Sequence, residues 1–370
     1  MAVVGVDAHK RTHTLVAVDD LGRKLGEKTV PATGDGHFQV VEWARQWPQV
    51  RFAVEDCRHL TRRLEGDLLR AGHRVARVPT QLMAAARRGG RRPGKSDPID
   101  AEAVALAALR HPDLPTAHLD GPTRQVKLLC DHRRDLVCER TKLVNRLRWH
   151  VHELDPELEV PSRGLRRYCV IDDLTSRLAG VEGIVARIGR DLLVRCRELT
   201  VQINALEKEL RGHVRQLAPG LLAVPGCGVL GAAMILGETA GAARFRSKHA
   251  YARFTGTAPI PVWSGNTVRV RLNRGGNRTI NTALHMIAVT QVRGVGPGKS
   301  YVDSLLSKGK TRTEALRLLR RRLSDRVYAA LLADEKATTQ PAPAQPASKP
   351  SIDSVPARDA VAEPQLAPAA

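Results

Sequence analysis

Four carboxylates flank hydrophobic runs, two at the end of a run and two ahead of one. Asp7 ends the apolar run of VVGVDAHK, Glu55 ends that of RFAVEDCR, and Asp97 and Asp100 lie three residues apart in GKSDPIDAEAVA. On a helix, an i,i+3 pair projects to one face. Taken singly, each has an ordinary role: an acid after a strand commonly serves a turn, and one ahead of a helix commonly caps it. Together they crowd like charges at one end of a sheet, which is unfavourable unless cations are held or pKa values rise. Hard divalent ions with oxygen ligands, Mg²⁺ or Mn²⁺, suit such a cluster. Two such ions can activate and stabilise the oxygens of a phosphodiester. Asp56 and Glu102 are neighbouring acids of the same kind.

A second group of residues lies downstream. LLAVPGCGVLGAAMILGE has the helix–hairpin–helix pattern, in which Gly226 and Gly228 let backbone N–H groups approach a phosphate at a helix N-terminus, whatever the base sequence. A tight interhelical turn without a ligand would read the same way. Further on, Ser264 and Gly265 fall in a turn ahead of Arg269, Arg271, Arg274 and Arg278. A serine before glycine is ordinarily a turn residue. No Ser–His–Asp spacing is evident to activate it, although His285 is available in principle. Arginines beside it would neutralise a pentacovalent phosphate and help ionise the hydroxyl.

The elements that must position these residues follow from the hydrophobic pattern. VVGVDA, HTLVAVD and KLGEKTV are short β-rich runs, the last two separated by turn chemistry at Asp20-Leu21-Gly22. A helix over about 37–46, the strand RFAVE, a helix over about 60–71 and the strand HRVARV come next. Ser96 is a candidate cap for a helix through AEAVALAAL, with Pro98 in its first turn. A three-strand meander followed by helix–strand–helix–strand–helix is the element order of the ribonuclease-H-like α/β fold, although doubly wound folds look similar from sequence. Residues 123–217 look helical. Leu129, Leu136 and Leu143 recur every seven residues, as do Val137, Val144 and Val151; Leu192, Leu199 and Leu206 alternate with Ile203, Leu210 and Leu217. Such seams pack helix on helix, within an antiparallel pair or between subunits, and Arg133 and Arg140 interrupt the first of them. The expected organisation is an α/β unit over 1–122, a helical, coiled-coil region over 123–217, a mostly α unit with the helix–hairpin–helix-like element over 218–336, and a Pro/Ala-rich disordered tail over 337–370.

Composition narrows the partners. The 370 residues carry 59 Lys+Arg against 38 Asp+Glu, a net charge of +21, and the tail is itself slightly acidic. A polyanion, most simply nucleic acid, is the expected partner. The basic residues are mostly arginine, whose planar fork suits phosphates and guanine edges. Aromatics are only 3%, a poor match to single-strand binding by stacking. The six cysteines form no CxxC pair and read as reduced packing residues rather than disulfides or a zinc site. The N-terminus turns polar within ten residues, unlike a signal peptide, and the apolar stretch at 221–237 is broken by Pro225 and glycines, a poor membrane span. The expected setting is the interior of the cell, as a soluble cytoplasmic protein.

With these residues in view, VGVDAHK, VED and KSDPIDA resemble the D-E-D-D signature of transposases whose N-terminal domain is similar to the RuvC Holliday-junction resolvase. The block VPGCG, RFRSKHAYARFTGTAP, SG and NRGGNR resembles the C-terminal domain of the same insertion-sequence transposases. The two blocks occur in the right order and span most of the folded chain; EDCRH after Glu55 departs from the small-residue run common in the family. The resemblance implies that Asp7, Glu55, Asp97 and Asp100 are metal ligands for Mg²⁺ or Mn²⁺. It implies that Ser264 is a nucleophile joined to DNA through a phosphoserine bond, and that a structured guide RNA encoded by the element takes part.

The resulting expectation is a recombinase that cuts and rejoins double-stranded DNA as a dimer or tetramer. Gly226, Gly228, Arg269, Arg271 and Arg274 would contact nucleic acid. Three other readings stand beside it: a structure-specific endonuclease using the carboxylates and water alone, a non-enzymatic nucleic-acid-binding protein, and an actin-like sugar kinase, in which the charge would be out of place.

Overall fold

The computed structural model describes residues 1–88, 96–264 and 267–339. The N-terminal meander forms as expected. Strands β1 (Ala2–Ala8), β2 (Thr12–Val18) and β3 (Lys24–Pro31) pair antiparallel. Strands β4 (Val50–Glu55) and β5 (Arg74–Val78) add in parallel on the other side of β1, giving the order β3-β2-β1-β4-β5. The central position of β1 explains its unbroken apolar run, since both its faces are covered.

Helices cover both faces. On one side α1 (Gly34–Ala44) and α2 (Arg58–Arg70) pack on Val4, Val6, Leu15, Phe52 and Val54. On the other side α3 (Thr80–Arg88) and α4 (Asp97–Arg110) pack on Val3, Val16, Val18 and Ala53. The sequence reading did not anticipate α3. It anticipated α4, but Ser96, although at the N-cap, makes no side-chain capping bond. Pro98 does sit in the first turn.

Close approach of α4 to the sheet depends on small residues. Its buried side is Ala101, Ala105 and Ala108 with Val104, and β1 presents Gly5 to it. A Cβ on Gly5 would lie 2.1 Å from the Ala101 carbonyl oxygen and 2.4 Å from the Ala105 amide nitrogen. The helix therefore rests directly on the strand backbone.

Two long helices follow, α5 (Pro122–Leu154) and, after the short α6 (Tyr168–Ala179), α7 (Ile184–Leu217). Their hydrophobic columns meet within the chain: Leu136 packs with Leu199 and Ile203, and Leu147 with Leu192 and Leu193. Arg133 pairs with Glu207 and Arg195 with Glu139, so the two helices run antiparallel. Arg140 is buried in the seam, where its Nη1 donates to Thr200 Oγ1 at 3.1 Å. The heptad columns thus serve an internal helix pair, whatever further contacts they make.

The C-terminal part is helical with one exception. The four-residue α8 (Pro219–Leu222), α9 (Val229–Thr239), α10 (Lys248–Phe254), α11 (Arg278–Val292), α12 (Gly298–Ser307) and α13 (Arg312–Thr339) enclose a core that includes Tyr251, Leu284, Ile287 and Val327. Between α10 and α11 strands β6 (Ile260–Ser264) and β7 (Thr267–Arg271) form an antiparallel hairpin that the sequence reading left as a turn. Ala337–Thr339, expected to belong to the tail, are the last residues of α13; the rest of the expected tail lies outside the described residues. All six cysteines are free, and no described helix is long and apolar enough to cross a membrane.

Candidate active site

Side-chain alternation along the sheet explains how the acids meet. On β1, Val4 and Val6 face α1 and α2, so Val3, Gly5 and Asp7 face α4. On β4, Phe52 and Val54 face α1 and α2, so Ala53 and Glu55 face α4 as well. The parallel register pairs Val6 with Val54, which brings Asp7 and Glu55 side by side at the C-terminal ends of adjacent strands. The Gly5 contact then fixes α4 so that its first turn, with Asp97 and Asp100, covers that edge.

Asp7 and Asp97 come together with a residue the sequence reading did not single out. The imidazole Nδ1 of His9 lies 3.6 Å from Asp7 Oδ2 and 3.9 Å from Asp97 Oδ2, and the ligand atoms of the three residues fall within 4.8 Å of one another. His9 follows the strand by one residue, in the quoted VGVDAHK, so its proximity to Asp7 was available from the spacing. Glu55 and Asp100 are not part of this tight group. Asp100, largely buried, accepts from Arg87 Nη1 of α3 at 3.0 Å. Arg87 was legible only once α3 was known to pack beside α4.

The electrostatics fit a cation site. Asp7 Oδ2 is buried with no hydrogen-bond partner. Its carboxyl is pushed up to about 6: burial is the main cause, His9 opposes it, and the charges of Asp97, Asp100 and Glu55 add to it. Neighbouring Cys57 is raised to about 11, by burial first and then by Glu55 and Asp7, so the field at this edge is negative. A buried carboxylate oxygen without a hydrogen-bond partner, facing a second acid and an imidazole, is the donor set of a hard or borderline divalent ion. The described residues fit such an ion.

The other predicted residues lie elsewhere. Position 264 ends β6 and pairs with Thr267; Gly265 is outside the described residues, as are Gly94 and Lys95. Arg269 and Arg271 on β7 pair with Val262 and Ile260, and with Arg274 they are exposed. The hairpin stands out from the fold, with Trp263 and Val270 each 68% exposed. Among the described side chains, no hydrogen bond or ion pair joins it to the carboxylate group.

The rest of NRGGNR is architectural. Asn277 caps α11 by accepting from the Ile280 amide at 2.9 Å and donates to Glu238 at 2.8 Å. A Cβ on Gly276 would come within 2.2 Å of the Gly256 backbone. This loop therefore fixes the base of the hairpin and leaves its arginines to solvent. In the glycine turn, Gly226 has φ +79° and Gly228 is the N-cap of α9. His285 lies on α11 with its Nδ1 buried and unpaired.

Two family models match the chain, a DEDD transposase model over residues 4–156 and the Transposase IS116/IS110/IS902 family model over residues 218–302. The chain belongs to the IS110/IS116 family of transposases. Its enzymatic class is accordingly DNA transposase, and its function is that of an insertion-sequence protein. Relatives of this transposase include the 44.8 kDa protein of insertion element IS116 from Streptomyces clavuligerus, 28% identical with 92% of this chain and 96% of that one covered. The 43.6 kDa protein of insertion element IS110 from Streptomyces coelicolor is also 28% identical, over 71% of this chain and 77% of that one. A solved Thermus thermophilus RuvC in complex with a Holliday junction substrate superposes on 30% of the transposase and 94% of its own chain, at 19% identity and a TM-score of 0.25. The strand order, rather than that score, carries the fold assignment for the transposase.

Proposed function

We propose that this transposase cuts and rejoins double-stranded DNA by dividing the work between its two ends. The observation that carries the reading is the buried Asp7 Oδ2, without a hydrogen-bond partner, facing Asp97 and His9 at the C-terminal ends of the central strands. Asp7, Glu55, Asp97 and Asp100 would hold Mg²⁺ (or Mn²⁺), with His9 beside Asp7. Such an ion supplies charge neutralisation at a phosphate and polarises its oxygen.

Ser264 is the proposed nucleophile. Its Oγ bonds to phosphorus as the P–O bond to the departing strand breaks, and the proton lost from the serine ends on the released hydroxyl. The phosphoserine bond keeps the energy of the broken ester for rejoining. Arg269, Arg271 and Arg274 offset the charge on the phosphate, and Gly226 and Gly228 present backbone amides to the duplex. The units over 1–122, 123–217 and 218–336 divide metal binding, assembly and serine chemistry. A structured guide RNA and assembly as a dimer or tetramer complete the reading, as does a cytoplasmic, nucleoid-associated location. An exposed hairpin standing apart from the carboxylates favours a site completed between protomers.

Ser264→Ala tests the division. The wild type should give a covalent protein–DNA adduct on a denaturing gel, and the variant should give neither adduct nor strand transfer. Unimpaired recombination by Ser264→Ala would leave the carboxylates hydrolysing DNA with water alone. Retained cleavage by Asp97→Asn together with Asp100→Asn would remove the metal role.

A further inference from the structure

Beside the Pro225–Gly228 turn the C-terminal helices leave a cavity of about 380 Å³. Its walls are apolar: Val224 and Pro225 from the turn, Pro297 ahead of α12, Tyr301 on α12, and Leu319 and Leu323 on α13. The walls are held in place. Buried Gln291 donates its Nε2 to the Pro225 carbonyl at 2.7 Å, and Gly298 packs where a Cβ would come 2.6 Å from the Gln291 side chain. Gly296, at φ +92°, lies so near Pro225 that a Cβ would approach its ring to 2.5 Å. The glycines of GVGPG therefore let this loop close one side of the cavity.

The mouth has the opposite character. Arg322 lies over the Tyr301 ring at 4.0 Å, and Arg326 follows one helical turn later on α13. Both are exposed, and neither pairs with a carboxylate among the described residues, since Asp325 is engaged by Arg321. The N-terminus of α12 opens here without a side-chain cap.

An apolar slot with an aromatic wall and two unneutralised guanidiniums at its rim matches a ligand that is flat and apolar at one end and anionic at the other. In a nucleic acid that ligand is a nucleotide. A paired base is held in its stack and has no access to a slot, whereas a bulged or looped-out base does. We propose that this cavity receives the base of one unpaired nucleotide, with Arg322 and Arg326 on its phosphate. The inference rests on the reading above only in taking nucleic acid as the partner. Both DNA and RNA offer the same chemistry.

The test compares duplexes carrying a single bulged 2-aminopurine with fully paired ones, in DNA and in RNA, titrated with the full-length protein. Wild type should bind a bulged duplex at least about fivefold more tightly than the paired one, the low end of base–aromatic stacking, with a change in probe fluorescence. Arg322→Ala with Arg326→Ala should abolish the preference, and so should Val224→Phe, which fills the slot without removing charge. Preference confined to RNA assigns the site to a guide, and preference confined to DNA assigns it to a distorted substrate. Equal binding of bulged and paired duplexes by the wild type overturns this inference alone. Failure to bind any duplex would instead strike the functional reading on which it rests.

Discussion

Removing one charge from the carboxylate edge should stabilise the metal-free protein. Asp7 has its carboxyl raised from 3.8 to about 6 because burial and neighbouring acids disfavour its ionised form. The folded state therefore binds the proton more tightly than the unfolded chain, so this group costs stability as pH rises from 3.8 to about 6, and the full cost remains above that. At about 1.4 kcal/mol per pKa unit, the cost at neutral pH is about 3 kcal/mol. Asp7→Asn removes the charge and keeps the shape. In the presence of EDTA, urea unfolding of the full chain should show the variant more stable by about 2–3 kcal/mol at pH 7.5. The gap should close as the pH approaches 4. The comparison must be made between the two proteins at each pH, because buried His13 has the opposite slope. Its imidazole is lowered from 6.5 to about 4, mainly by burial and then by His37 and His9, so its contribution is complete above pH 6.5 and is lost as pH falls toward 4. An Asp7→Asn protein that is no more stable than wild type in EDTA at pH 7.5, or a gap independent of pH, would refute the reasoning. Adding Mn²⁺ should stabilise the wild type and leave Asp7→Asn nearly unmoved.

Three further outcomes follow from the same geometry. Gly5→Ala should separate α4 from β1, because the new Cβ meets backbone atoms of Ala101 and Ala105; circular dichroism should report a lowered melting temperature and cleavage assays a loss of activity. Arg87→Ala releases Asp100 from its ion pair, so Mn²⁺ titration by calorimetry should give a tighter dissociation constant. Glu65→Ala strips the buried partner from Arg77, which it accepts from at 2.6 Å, and should cost about 3–5 kcal/mol in urea unfolding.

Much of the chemistry was legible in the chain because it depends on local pattern. The apolar strand runs announced where Asp7 and Glu55 fall, the i,i+3 acids announced the first turn of α4, and the heptads announced α5 and α7. Three features were not legible. Helix α3 ends beside the acids and supplies Arg87, yet its sequence TQLMAAARR lacks the caps and long periodicity that mark a helix in isolation. The β6–β7 hairpin forms from IPVWS and TVRVR, where the Ser264-Gly265 pair signals a turn but neither short flanking run marks itself as a strand. The Arg322–Arg326 cavity needs residues from the glycine turn, the α12 entry and α13, from Val224 to Arg326, which lie far apart in the chain.

The sequence by itself determined which acids the protein owns and that each ends or opens an element, since hydrophobic runs and charges are local properties. Only the tertiary structure decided that they share one place. That follows from a parity and a contact: Asp7 and Glu55 fall on the α4 side of adjacent parallel strands, and a glycine without a side chain lets α4 lie on β1. Packing α4 over the strand ends buries the Asp7 carboxyl, which is the main reason it is raised, and the neighbouring acids add to the shift; both effects, absent from any one motif, prepare the edge for a cation.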